Sequence, residues 1–134
     1  MEEYTLNYLG DLRVSARHER SGTEIITDAP VDHEGKGESF SPTDLLCTAL
    51  GTCMLSVLGI YAKHNNINIE GLNASVKKIM TVEPRRVGEI IIELNFPPHN
   101  YSEKEKIIFE RVVKTCPVIL SLKEEVIKTI KINY

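Results

Sequence analysis

Short runs of alternating apolar and polar residues fill the first thirty positions. Tyr4–Tyr8, Leu12–Glu19 and Thr23–Thr27 each carry the two-residue period of a strand, with Leu9-Gly10-Asp11 and Ser21-Gly22 as the turns between them. Residues 29–41 are polar, hold Gly35 and Gly37, and read as a loop. The period then changes. Ser41 suits a helix N-cap, Pro42 the first helical position, and Asp44 complements the positive end of the helix dipole. The spacing predicts a helix to about Asn65, with Lys63 and His64 in its last turn.

Alternation returns in Gly71–Val82 and Val87–Phe96, two strands of a hairpin around Glu83-Pro84-Arg85-Arg86 that ends at Pro97-Pro98. Ser102 with Glu105 three residues on is a capping box opening a second helix, whose broad apolar face carries Ile107, Ile108 and Val112. Pro117 interrupts that helix directly after Cys116. A short helical piece, Val118–Glu125, and a last strand, Val126–Asn133, complete the order β-β-β-α-β-β-α-α-β. This is an α+β arrangement in a single domain, residues 1–134. The first helix would be about 36 Å long and apolar on nearly all sides. A single small layer does not cover such a helix, so an obligate homodimer is expected.

The run Leu45–Ala62 is uncharged over 18 residues, at the lower edge of a membrane span. Thr48, Gly51, Thr52, Ser56 and Gly59 dilute it, so a buried helix is expected and no membrane partner. The formal net charge of −3 and pI near 5.8 leave no clustered basic face for nucleic acid. The start, MEEYTLNYLG, lacks the basic and apolar regions of a secretory leader. Three cysteines without close spacing do not make a disulfide framework, and a reducing cytoplasm is the expected location.

Those cysteines are the candidate chemistry. Cys53 lies mid-helix among small residues, Ala49, Gly51, Thr52 and Ser56, which let another backbone or a substrate approach. Cys116 lies where Pro117 breaks the second helix. Each reads equally as a buried core thiol, because free cysteine is among the most buried residues. Cys47 projects about 120° away from Cys53 on the helix and reads as packing. Cys53, Cys116, His33, His64 and His99 could in principle bind zinc, but no pair has ligand spacing. No Gly-rich phosphate loop and no Ser-His-Asp signature is present. Neither a metal nor another cofactor is expected.

SPTDLLCTALGTC, followed some 60 residues later by TCPV, resembles the superfamily of osmotically inducible protein C (OsmC) and organic hydroperoxide resistance protein (Ohr), in its OsmC-like subgroup. The matching positions are Pro42, Cys53 and Cys116-Pro117, and the element order matches over nearly the whole chain. The resemblance implies antiparallel sheets around long central helices in an intertwined homodimer. It also implies a thiol-dependent peroxidase acting on organic hydroperoxides in oxidative stress defence. Cys53 would attack the peroxide, Cys116 would resolve the sulfenic acid, and a small dithiol or dithiol protein would reduce the disulfide. In the family an arginine from the N-terminal strands faces the reactive cysteine, held by an acid at the helix start. Arg13, Arg17 and Arg20 are the candidates, and counting back from Asp28-Ala29-Pro30 favours Arg13. Well-studied hydroperoxidases carry Glu directly after the proline, where this chain has Thr43; Asp44 follows it. On a regular helix Asp44 lies about 180° round from Cys53, and capping the helix suits it as well as holding an arginine. The alternative function is a non-catalytic small-molecule-binding or redox-sensing dimer of the same fold.

Overall fold

The chain, described over all residues Met1–Tyr134 in a computed structural model, divides into two units, Met1–Leu46 and Cys47–Tyr134. The elements follow the expected order, with a short 3-10 turn at Val31–His33 inside the predicted loop.

In the first unit, β1 (Tyr4–Gly10), β2 (Arg13–His18) and β3 (Glu24–Asp28) form an antiparallel sheet in that order. The β1–β2 turn runs through Gly10, Asp11 and Leu12, all at positive φ. Leu12 is held in that unfavourable region by two bonds. Its N–H donates to the Tyr8 hydroxyl, and its carbonyl accepts from Ala29 N–H. The register places Tyr8 opposite Val14, Leu6 opposite Ala16, and Ala16 opposite Ile25. One sheet face is therefore apolar, and Tyr4, Leu6 and Tyr8 on it are each more than half exposed. The other face carries Arg13, Ser15, Arg17 and Asp28. The loop after β3 folds back on itself, with Gly35 N–H on Pro30 O and Gly37 N–H on Ala29 O. Gly35 is obligatory there, since a Cβ would lie 1.7 Å from the Ala29 carbonyl oxygen.

The long helix α1 (Pro42–His64) begins in the first unit and continues into the second. Its start is a reciprocal cap: Asp44 N–H donates to Ser41 Oγ (3.1 Å), and Ser41 N–H donates to an Asp44 carboxylate oxygen (2.9 Å).

In the second unit, β4 (Asn73–Val82) and β5 (Arg85–Asn95) form the hairpin, tightened to a two-residue loop at Glu83-Pro84. β6 (Ile127–Asn133) lies beside β5 and runs parallel to it. The expectation of antiparallel sheets therefore holds for the first sheet and for β4–β5, but not for the last pair. The reason is the connection: β5 and β6 are separated by α2 (Glu103–Val113) and α3 (Pro117–Ser121), enough chain to cross over and return in the same direction. The capping box of α2 forms as read, with Ser102 and Glu105 exchanging bonds. α3 starts and stops earlier than expected, because Pro117 itself is its first residue and Leu122 is already extended.

Leu50, Met54 and Leu58 of α1 share one core with Ile90, Ile92 and Leu94 of β5 and with Phe109 and Val113 of α2. The two sets show the two periods that the sequence carries, three to four in the helix and two in the strand. α1 approaches the sheet closely at Gly51, where a Cβ would lie 2.8 Å from a Val76 methyl. The helix is long and apolar enough to cross a membrane by length and composition, with a mean hydropathy of 1.9 over 18 residues. In the structure it buries a stripe, Cys47, Leu50, Gly51, Met54, Leu58 and Ala62, while Leu46 and Ile60 stay exposed. Burial on nearly all sides is thus not reached within one chain.

Candidate active site

Cys53 sits on the flank of the α1 stripe, next to buried Met54, and is half-buried. Thr52 and Ser56 turn their hydroxyls back onto carbonyls of the same helix, Ala49 O and Thr52 O, and so leave no unpaired polar group beside the thiol. Cys116 is placed by chain geometry. α2 ends at Val113, Lys114 N–H and Thr115 N–H bond back to its last carbonyls, and Cys116 becomes the N-cap of α3. The following proline requires extended backbone at Cys116, and its ψ is 128°. This turns the Cys116 side chain into the core, where it is wholly buried and its Sγ accepts the Ile119 N–H at 3.5 Å.

The fold thereby brings the two thiols together. Cys53 and Cys116 are neighbours, close enough for each thiol to act on the other, and both are free. Burial pushes the Cys116 thiol up, and the neighbouring Cys53 thiol pushes it further. Backbone N–H groups of Ile119 and Val118 pull the other way with smaller effect. Two neighbouring thiols of unequal exposure can be oxidised stepwise to a disulfide, with the more accessible sulfur meeting the oxidant first. Cys47 is also buried in the core cluster. No group of three or more His, Cys, Asp and Glu side chains gathers to hold a metal ion.

Within the first unit, Arg13 is the only one of the three candidate arginines with a two-pronged bond to a buried carboxylate. Its Nε and Nη2 donate to the two carboxylate oxygens of Asp28 at 2.8 and 2.9 Å, and Nη2 also reaches Glu38 at 3.2 Å. The pairing follows from register, since Arg13 and Asp28 are directly opposite on β2 and β3. Asp28 is buried and takes a further bond from the Glu38 N–H. The Arg13 fork beside it holds its carboxyl below the usual carboxylate range, against the opposing effect of burial. Arg17 meets Glu19 and Glu24 at 3.4 and 4.0 Å, and Arg20 meets Glu2 at 3.0 Å, all on exposed side chains. The acids on Arg13 thus come from β3 and the loop after it, while Asp44 bonds to Ser41 in the α1 cap. Thr43 lies in the same cap, its hydroxyl 3.2 Å from Ser41 Oγ. Sequence reasoning missed Asp28 and Glu38. The signal available for Asp28 was the strand register, which sets it opposite Arg13.

The profile of the OsmC-like protein family matches residues 35–131. The chain belongs to the OsmC-like family. A family member from Psychrobacter arcticus 273-4, described as a proposed osmotic stress induced and detoxification response protein, is 46% identical. Its structure superposes with a TM-score of 0.94, covering 98% of this chain and 96% of that one. The organic hydroperoxide resistance protein OsmC of Legionella pneumophila shares the fold at 13% identity and a TM-score of 0.76, over 100% and 97% of the two chains. OhrB of Bacillus subtilis, an organic hydroperoxide resistance protein, does so at 14% identity and 0.66, over 98% and 97%. No curated protein matches the chain. OsmC-like folds thus include organic hydroperoxide resistance proteins, and the two-cysteine pattern that suggested the family lies within the matched residues.

Proposed function

We propose that this OsmC-like protein is a thiol-dependent peroxidase that reduces organic hydroperoxides through Cys53 and Cys116. The observation that carries the reading is the proximity of a partly buried thiol and a wholly buried one, both reduced. Cys53 attacks: its sulfur bonds to one peroxide oxygen, the O–O bond breaks, and the alcohol leaves with a proton. The sulfur is oxidised by two electrons to a sulfenic acid. Cys116 then bonds to the Cys53 sulfur, and water leaves. A small dithiol or dithiol protein reduces the disulfide and closes the cycle. For the cation that favours a thiolate, Arg13 is the proposed residue among the three, because its fork is fixed at both oxygens of a buried carboxylate.

The working form is proposed to be a homodimer in the cytoplasm. The exposed apolar sheet face at Tyr4, Leu6 and Tyr8 and the exposed Leu46 and Ile60 of α1 support a second copy as cover. Light scattering on the eluting protein measures that state directly.

The activity test uses tert-butyl hydroperoxide with dithiothreitol as reductant. The wild-type protein consumes peroxide over many turnovers, Cys53→Ser consumes none, and Cys116→Ser manages at most one equivalent without added thiol. Steady dithiol-dependent turnover by Cys53→Ser overturns the assignment. No consumption by the wild type leaves the binding or redox-sensing reading in its place.

A further inference from the structure

We propose that residues 29–40 form a strap that opens as one body, latched to the first sheet by the Asp28 carboxylate. The two ends of the segment are joined, because Asp28 N–H donates to Phe40 O at 3.1 Å. Loops closed in this way are compact bodies packed by their own side chains. This one is also closed internally. His33 N–H and Gly35 N–H both donate to Pro30 O at 2.9 Å, and Gly37 N–H donates to Ala29 O at 3.3 Å. A Cβ on Gly37 would clash with the Val31 side chain, so the body is tight at that point. Its outer surface is exposed, Val31 and Phe40 included.

What ties this body to the sheet converges on Asp28. Asp28 and Ser41 are the buried polar residues of the chain, and they bracket the segment. Asp28 Oδ1 accepts from Arg13 Nε, and Oδ2 accepts from both Arg13 Nη2 and the Glu38 N–H. One oxygen thus joins a strand cation to a strap amide. Arg13 Nη2 also reaches Glu38 Oε1 at 3.2 Å, and Ser39 Oγ donates to Ile26 O at 2.7 Å. Further along the strap, Lys36 lies 3.9 Å from Asp11. These anchors differ in strength. The Arg13–Asp28 fork is charge-assisted and its acid is wholly buried, whereas the Glu38 and Lys36 arms end on exposed side chains, where ion pairs count for little. The strap therefore lifts by breaking the Glu38 and Ser39 bonds while the fork holds. Arg13 then carries one carboxylate where it carried two, and the cluster passes from net negative to neutral. The strap is in this way a switch on the charge around Arg13, and it works without any peroxide chemistry.

Residue-resolved hydrogen exchange at neutral pH tests this on wild type, Asp28→Asn and Glu38→Ala. Asparagine keeps one acceptor oxygen and turns an amide donor toward Arg13 or the Glu38 N–H. The latch loses a charge-assisted bond, so the strap amides of His33, Gly35 and Gly37 exchange about tenfold faster. Glu38→Ala removes the exposed arm and keeps the backbone one, so the same amides speed up by about two- to fivefold. In each variant the three amides shift by a common factor, the mark of one opening unit, and they exchange faster than the ladder amides of β2 and β3. Ser39→Ala repeats the comparison from the neighbouring anchor if Asp28→Asn does not fold. Unequal shifts among the three amides, no shift in any variant, or strap and ladder amides exchanging at one rate overturns the proposal. A rise confined to the Glu38 amide does so too.

Discussion

Oxidation of the pair should stabilise the fold, and the size of the effect follows from where the two cysteines lie. Cys53 and Cys116 are 63 positions apart, so a disulfide between them closes most of the second unit into one loop. Loop-closure entropy removed from the unfolded chain is worth about 4 kcal/mol for a loop of this length. The Ile119 N–H bond to Cys116 Sγ survives, because a disulfide sulfur still offers a lone pair. The expectation is about 4 kcal/mol in favour of the oxidised form. Urea unfolding, followed by far-UV circular dichroism, compares protein kept in dithiothreitol with protein oxidised by limiting hydroperoxide and checked by mass spectrometry. An m-value of about 1–3 kcal/mol/M converts the difference to a midpoint shift of roughly 1–4 M. Equal midpoints with the disulfide verified, or a less stable oxidised form, would refute the reasoning. Either result means that the core must distort to let the sulfurs bond.

Phe109 is wholly buried and lies 4.7 Å from Phe96 and 5.4 Å from Tyr101, ring centre to ring centre, so Phe109→Ala should cost about 3–5 kcal/mol in urea unfolding. Ser102→Ala removes the capping box of α2 and should cost about 1 kcal/mol by the same measurement. Asp28 titrates below its unfolded value, so its contribution is fully present above about pH 4 and is lost as pH falls through the lowered folded value. Asp28→Asn should therefore be less stable than wild type at pH 7, with the difference narrowing as pH falls below 4. A difference that stays constant across that range counts against the Arg13–Asp28 clamp.

The fold was legible in the sequence where local rules decide it. The Ser102–Glu105 box, the Ser41 cap and the alternation of Ile90, Ile92 and Leu94 each follow from neighbours within a turn or two. The direction of β6 was not legible, because period-two alternation is the same in a parallel and an antiparallel strand. What settles it is a crossover of two helices, a property of the connection and not of the strand. The exposed face at Leu6 and Tyr8 was legible as apolar, but its exposure within one chain was not.

The site divides along the same line. Cys53 and Cys116 carry the same thiol, and nothing in their composition tells them apart. The difference comes from placement: one sits on the flank of a helix, and the other is driven into the core by the extended backbone that Pro117 demands. Two aspartates make the same point. Asp44 stands at the helix start, and its carboxylate meets Ser41 N–H, the use that capping a helix predicts. Asp28 stands sixteen positions earlier, yet strand register sets it against Arg13 with both oxygens engaged. A sequence distance measured to Cys53 ranks Asp44 above Asp28; a distance measured across the β2–β3 ladder reverses the ranking. The partner of a charged residue on a strand is therefore best sought at its register position, before any motif position is assigned to it.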